Sequence, residues 1–235
     1  LDGLAIDSAV LPATGRRKKL LIADMDSTLI EQECIDELAD AAGAGEAVKA
    51  ITVRAMNGEL DFEEALRERV SALKGLPSGV IGDVIAGRIS FMPGGRELIA
   101  TMRQNNASCA LISGGFTHFT AFVGAELGFH EHQANELIIR DNLLTGEVAD
   151  PVLGRDAKVA ALQRIAGTFG FSMDEAMAVG DGANDIPMLH AAGMGVALHA
   201  KSAVNQQVDI QIDHGDLTAL LYLQGFTRDE FARHH

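Results

Sequence analysis

Asp24 and Asp26 stand one residue apart at the end of an apolar run, Leu20-Leu21-Ile22-Ala23, in the stretch KKLLIADMDSTLI. Carboxylates this close repel each other unless a cation lies among them. A second acidic group, Asp181 and Asp185 with Asn184 between them, closes a later apolar run in AVGDGANDIPML. Oxygen ligands of this kind select a hard cation such as Mg²⁺, which keeps several waters and accepts a phosphate oxygen. Two further stretches suit an anion. LISGG places Ser113 before two glycines, and GRDAKVAALQRI opens a helix with Lys158 in its first turn. Asp156 reads as the N-cap of that helix. A cation in a first turn opposes the helix dipole, and an anion nearby offsets the cost. One carboxylate of such a set can attack phosphorus and form an acyl phosphate. A second, two residues on, can protonate the leaving oxygen and later deprotonate water.

Each stretch alone has a plainer reading. A DxD is a common solvated loop, and SGG is a common turn before a helix, here expected near Phe116. Asn184 is a good N-cap for a helix through Leu189, with Pro187 allowed in its first turn. The four become informative together, because DMDST, LISGG and AVGDGAND fall at the ends of elements that read as strands and the fourth opens a helix.

Those elements are short, continuously apolar runs at 20–23, 109–112, 176–179 and 194–198. Such runs are typical of strands buried on both faces. Helical patterns separate the later ones. The expected core is therefore an α/β fold, a doubly wound, Rossmann-like parallel sheet that binds ligands at the carboxyl ends of its strands. One segment breaks the rhythm. From 33 to 91 the pattern is helical, with helices expected at 34–42, 46–56, 62–74 and 80–86. A helical cap inserted after the first strand follows, and MPGG marks the return to the core. The expected division is 1–18 as a linker or the remnant of an upstream domain, 19–32 and 92–235 as the core, and 33–91 as the cap. The crossings at 30–34 and 91–95 are the expected hinges. ELIIRDNLLTGEV reads as a hairpin turning near Asp141-Asn142.

Composition narrows the function. A net charge of −14 argues against nucleic acid or an anionic membrane as a partner. Cys34 and Cys109 form no CxxC pair and match no zinc spacing, so buried thiols in a reducing compartment are expected. No membrane-spanning run or signal-peptide pattern is present, and a cytoplasmic protein acting on a small molecule is the expectation. The chain opens on Leu1, and AVLPATGRRKK reads as a linker. His234 and His235 receive no role. Oligomeric state is left open.

DMDST, SGG, the helix bearing Lys158 and GDGAND occur in the order and rough spacing of the haloacid dehalogenase superfamily, which this chain resembles. IEQECIDELA and MNGELDFEEALRERVSALKGL extend the resemblance to the phosphoserine phosphatases within it. The resemblance implies Mg²⁺-dependent hydrolysis of O-phosphoserine through an aspartyl phosphate, the last step of serine biosynthesis. It implies Asp24 as nucleophile and Asp26 as general acid and base. Asp24, the Asp26 carbonyl and Asp181 would hold Mg²⁺. Ser113, Gly114, Lys158 and Asn184 would hold the phosphoryl group, and Asp185 would orient Lys158 or a metal-bound water.

The resemblance also places substrate recognition in the cap. Glu33 is expected to take the ammonium, Arg69 the carboxylate, and Met56 and Phe62 to form a lid. Periodicity supports Arg69 independently. Asp61 and Glu64 resemble a capping box, and Phe62, Leu66, Arg69 and Leu73 share one helical stripe that excludes Arg67. The plainer readings are an Arg that snorkels, a first-turn Glu favoured by the dipole, and lid residues that only pack. Rival functions are a phosphatase or phosphotransferase for another small phosphomonoester, a phospho-accepting receiver module, and a ligand-binding pseudoenzyme.

Overall fold

The computed structural model describes residues 5–56 and 59–232. Along the chain run β1 (Leu20–Ala23), α1 (Cys34–Ala41), α2 (Gly45–Met56), α3 (Phe62–Ser71), α4 (Gly79–Arg88), α5 (Gly95–Gln104), β2 (Ser108–Phe116) and α6 (Thr117–Leu127). Then come β3 (Glu131–Asn135), β4 (Leu137–Arg140), β5 (Leu143–Val148), α7 (Arg155–Phe169), β6 (Ala176–Gly180), α8 (Ile186–Ala191), β7 (Met194–Leu198), α9 (Ser202–Asn205), β8 (Ile210–Ile212) and α10 (Ala219–Leu223). Six strands form a parallel sheet in the order β3-β2-β1-β6-β7-β8.

Strand β1 shows why its sequence is continuously apolar. Leu21 and Ala23 belong to the core on one face of the sheet, Leu20 and Ile22 to the core on the other. Alternation points successive side chains to opposite faces, and both faces are covered, so all four residues are buried. The chain winds from β1 outward to β2 and β3, then returns to the other side for β6, β7 and β8. The reversal leaves a crevice beyond the carboxyl ends of β1, β2 and β6, the place where such sheets bind ligands.

Helices α1 to α4 follow β1 in the segment expected to be the cap, and the name cap is kept for them. Capping explains α3. The Asp61 carboxylate accepts from the Glu64 amide at 2.9 Å, and the Glu64 carboxylate accepts from the Asp61 amide at 3.0 Å, a complete capping box. The two crossings between core and cap run antiparallel, with Glu31 N donating to Ser90 O at 3.0 Å and Met92 N to Leu29 O at 2.9 Å. The hairpin β4–β5 turns at Asp141 and Asn142, both in the left-handed region with φ of 52° and 60°. It is bonded to the cap. Gly75 N donates to Leu144 O, Leu144 N to Leu76 O and Ser78 N to Asn142 O, each at 2.8 Å.

Some expectations need correction. Asp156 does not cap α7; Gly154 does, and Asp156 lies exposed in the first turn, where its charge suits the dipole. Strand β2 runs on through Phe116, so α6 begins at Thr117. Asp185 rather than Asn184 occupies the N-cap position of α8, because its side chain is drawn back toward Gly182 and Lys158. The segment read as a linker is tied down where it is described. Asp7 accepts from the amides of Asp213, His214 and Gly215, and Arg17 pairs with Glu230 at 2.5 Å. Among the described residues, no helix is long and apolar enough to cross a membrane.

Candidate active site

At the carboxyl end of β1 the chain turns sharply, with Met25 O accepting from the amides of Thr28, Leu29 and Ile30. Asp24 is thereby left buried at the strand end, one step from β6, whose Val179 O accepts from Asp24 N at 3.0 Å. Asp26 points toward the cap, where its carboxylate accepts from Cys34 N at 3.2 Å, at the start of α1. From β6 comes Asp181, held by the Thr28 hydroxyl at 3.0 Å.

Lys158 is fully buried among these acids. Its Nζ lies 2.6 Å from Asp185 Oδ1 and 2.8 Å from Asp24 Oδ1. Burial works to lower the ammonium's pKa, but Asp24 and Asp185 outweigh it and the pKa is raised. Lys158 is therefore a cation at every physiological pH. Asp185 also accepts from Gly182 N at 3.0 Å, so it fixes Lys158 to the turn after β6.

The acids outnumber that one cation. Asp24, Asp181 and Asp185 each offer an oxygen, and the three oxygens lie within 4.8 Å of one another. Burial first, then Asp185, pushes the Asp24 carboxyl well above the ordinary range. Burial and Asp185 raise Asp181 to about 6; burial and Glu33 raise Asp26 to about 7. Asp24 Oδ1 is buried, paired in charge with Lys158, yet accepts no aligned hydrogen bond among the described residues. A hard, oxygen-bound cation fits this donor set: it supplies the missing positive charge and a partner for that oxygen. The expected ligands Asp24 and Asp181 are thus together, and Asp185 joins them.

The other phosphoryl-binding candidates converge as well. A cavity of about 490 Å³ is lined by Asp24, Asp26, Ser113, Gly114, Asp181 and Asn184 from the core, and by Glu33, Phe62 and Arg69 from the cap. Lys158 is not part of the lining; it is fully buried, 2.8 Å from Asp24, which is. Ser113 Oγ accepts from Gly115 N at 2.9 Å, within the part of β2 where the register against β3 shifts. Both glycines are demanded by close approach. A Cβ on Gly114 would lie 3.0 Å from Phe62 Cζ, and one on Gly115 would lie 2.6 Å from Asp26 Oδ2. Gly115→Ala is therefore expected to displace the Asp26 carboxylate and lower kcat by roughly 10²-fold, approaching the loss of the acid itself. A crystal structure showing an unmoved Asp26, with wild-type kcat, would remove this reading of the glycine.

In the cap, Arg69 is half-buried and its Nε donates only to Ala65 O of its own helix, at 3.2 Å; among the described residues it makes no ion pair within 4 Å. Arg67 points away, bonded to Glu63 and Asp150 at 2.7 and 2.5 Å. Glu33 is open to the water of the cavity but enclosed by its walls, and enclosure raises its carboxyl pKa. The Ser27 hydroxyl donates to it at 2.8 Å. Phe62, the expected lid residue, packs against Gly114 and Gly154 of the core. Met56 ends α2, and its side chain lies outside the described residues.

Two contributors escaped the sequence reading. Buried Asn135, at the end of β3, donates to Gly114 O at 2.8 Å and accepts from Leu153 N at 2.7 Å, so it braces the SGG end of β2 against the approach to α7. The only signal was its place before the hairpin. Lys201 reaches the cavity from beyond β7.

Residues 21–190 match the haloacid dehalogenase-like hydrolase family. Phosphoserine phosphatase SerB2 of Mycobacterium tuberculosis is 46% identical over 215 residues, 92% of this chain and 52% of that protein. A phosphoserine phosphatase of Albidiferax ferrireducens is 41% identical over 94% of this chain and 95% of its own. This chain spans between about half and two thirds of the length of several of its relatives, SerB2 among them. Among solved structures, a phospho-aspartyl intermediate analogue of phosphoserine phosphatase superposes with a TM-score of 0.81 at 42% identity, over 88% of this chain and 98% of that one.

Proposed function

Because the chain belongs to the haloacid dehalogenase-like hydrolases, we propose that it hydrolyses O-phosphoserine to serine and phosphate through phosphorylation of Asp24. One observation carries the reading. A single cavity joins the acidic, Lys158-bearing end of the sheet to a Glu and an unpaired Arg from the cap. The first half suits a phosphoryl group, the second a zwitterionic amino acid. The relatives named above support the same substrate.

Asp24 Oδ attacks phosphorus, and the seryl oxygen leaves. Asp26, whose carboxyl is raised to about 7, holds the proton that the leaving oxygen takes. Deprotonated by that step, it draws a proton from the water that attacks the aspartyl phosphate and releases phosphate. Lys158 and the SGG end of β2 hold the phosphoryl oxygens, and Asp185 keeps Lys158 aimed. Asp24, Asp181 and Asp185, with the Asp26 carbonyl as the other candidate ligand, would hold Mg²⁺, which supplies charge neutralisation for the transferred group. The buried, unpaired Cys34 and Cys109 fit a reducing, cytoplasmic setting.

Recognition is separable from chemistry, and that separation tests the substrate. Arg69→Lys loses the planar fork that matches a carboxylate, and Arg69→Ala loses the charge as well. Both are expected to lower kcat/KM for phosphoserine by about 10- to 100-fold. Both should keep most activity on an aryl phosphate, which has neither ammonium nor carboxylate. Glu33→Gln follows the same pattern more mildly. Folded variants that lose both substrates equally would refute phosphoserine as the substrate and leave a phosphatase of another small phosphomonoester.

A further inference from the structure

Lys201 is the second cation of the cavity, and neither the motifs nor the periodicity marks it. It comes from the core and lines the same cavity as the cap's Glu33 and Arg69. Its side chain is exposed and makes no ion pair within 4 Å among the described residues. Its backbone is firmly placed. His199 takes a left-handed φ of 47°, its amide donates to Ile212 O at 2.8 Å, and its ring Nε2 lies 2.7 Å from Gly215 O. Beyond it, Lys201 O accepts from the amides of Val204 and Asn205 at 2.8 and 3.1 Å. A non-glycine residue held at positive φ is strained, so these bonds fix the turn that leads to Lys201.

The charge of Lys201 acts at the cap end of the cavity. Burial raises the Glu33 carboxyl pKa, and the charges of Arg69 and Lys201 work against it. The phosphoryl end already has Lys158 buried beneath it. At the cap end, Glu33 matches the substrate's ammonium, which leaves the substrate's carboxylate facing two cations from opposite walls.

We propose that Lys201 is a specificity-determining residue that binds the substrate's carboxylate from the core side, opposite Arg69. The inference rests on the phosphoserine reading and adds to it a residue that no motif marks. A flexible ammonium at an open rim suits this role, because it adds charge where the guanidinium adds geometry. Contacts to both walls also make the carboxylate, rather than the phosphoryl group alone, a tie between core and cap.

Three substrates separate the roles: O-phosphoserine, O-phosphoethanolamine, which keeps the ammonium and lacks the carboxylate, and 4-nitrophenyl phosphate. Lys201→Ala is expected to raise KM for phosphoserine roughly tenfold with kcat within about twofold. Lys201→Arg should restore most of the loss. Both variants should keep kcat/KM for the other two substrates within about twofold, with an unchanged Tm. Equal losses on all three substrates would show a general field or a structural role and overturn the proposal, as would no loss on phosphoserine. The wild-type preference for phosphoserine over phosphoethanolamine tests the parent reading separately. Its absence overturns both, whereas its presence with an indifferent Lys201→Ala overturns this inference alone.

Discussion

Asp24→Asn is expected to reduce turnover by about 10⁴-fold or more, because a neutral amide cannot attack phosphorus. Asp26→Asn keeps the nucleophile and loses proton transfer, a smaller penalty of roughly 10²–10⁴-fold. The two can be told apart without rates. Rapid quench with labelled substrate should trap phosphate on the wild-type protein and on Asp26→Asn, and none on Asp24→Asn. Label on a serine or histidine would overturn the assignment. Stability should move the opposite way from activity. Burial and Asp185 raise the Asp24 carboxyl, so the charged form is disfavoured where it sits. Lys158 keeps Asp185 as a partner at 2.6 Å when Asp24 becomes neutral. Metal-free Asp24→Asn is therefore expected to melt no lower than metal-free wild type at pH 8. A large drop in Tm would mean that the Asp24–Lys158 pair is a structural tie rather than a functional strain.

What the sequence disclosed follows from where burial is strongest. Strands β1, β2, β6 and β7 are interior and continuously apolar, and each was legible from its run of residues. The edge strands were not. β3, Glu-His-Gln-Ala-Asn, carries polar side chains at its exposed positions, and β8 is only Ile-Gln-Ile. An edge strand has one unpaired side and needs no continuous apolar run, so the signal that found the others is missing. Cap helices were legible because caps are local: the Asp61–Glu64 box fixes the start of α3 from four residues. Local chemistry misled at α7, where a plausible Asp156 cap lost to Gly154. Asn135 and Lys201 were invisible for a different reason. Each belongs to the site only because the sheet order brings a distant strand end to the crevice, and no short-range pattern encodes that. The association of the hairpin with the cap is of the same kind, since its partners at 75–78 lie more than sixty residues earlier in the chain.

Chelation should stop the reaction and also change how the protein responds to pH. Exhaustive EDTA treatment is expected to abolish phosphate release, and added Mg²⁺ to restore it; full turnover after chelation would sink the metal reading. The pH response follows from the sign of the shifts. Asp24, Asp26 and Asp181 have folded pKa values raised above those of the unfolded chain, to about 7 for Asp26 and about 6 for Asp181. Between pH 4 and 7 the folded state then holds more protons at these sites than the unfolded state, so their contribution to stability is present at low pH and falls as pH rises. Other carboxylates act oppositely. Asp7 has a lowered pKa: burial works to raise it, but the amides of Asp213, Gly215 and His214 prevail, so it contributes stability that is lost as pH falls. The net pH curve therefore mixes both kinds, and the difference made by Mg²⁺ isolates the cluster. A cation among these acids competes with their protons, so it binds more tightly as pH rises. The increase in Tm on adding Mg²⁺ is expected to be small at pH 5 and substantially larger at pH 8. In Asp181→Asn, which removes one acid of the cluster without touching the nucleophile, the increase at pH 8 should shrink while the value at pH 5 changes little. A Mg²⁺ effect independent of pH, or undiminished in Asp181→Asn, would place the cation elsewhere on this acidic protein.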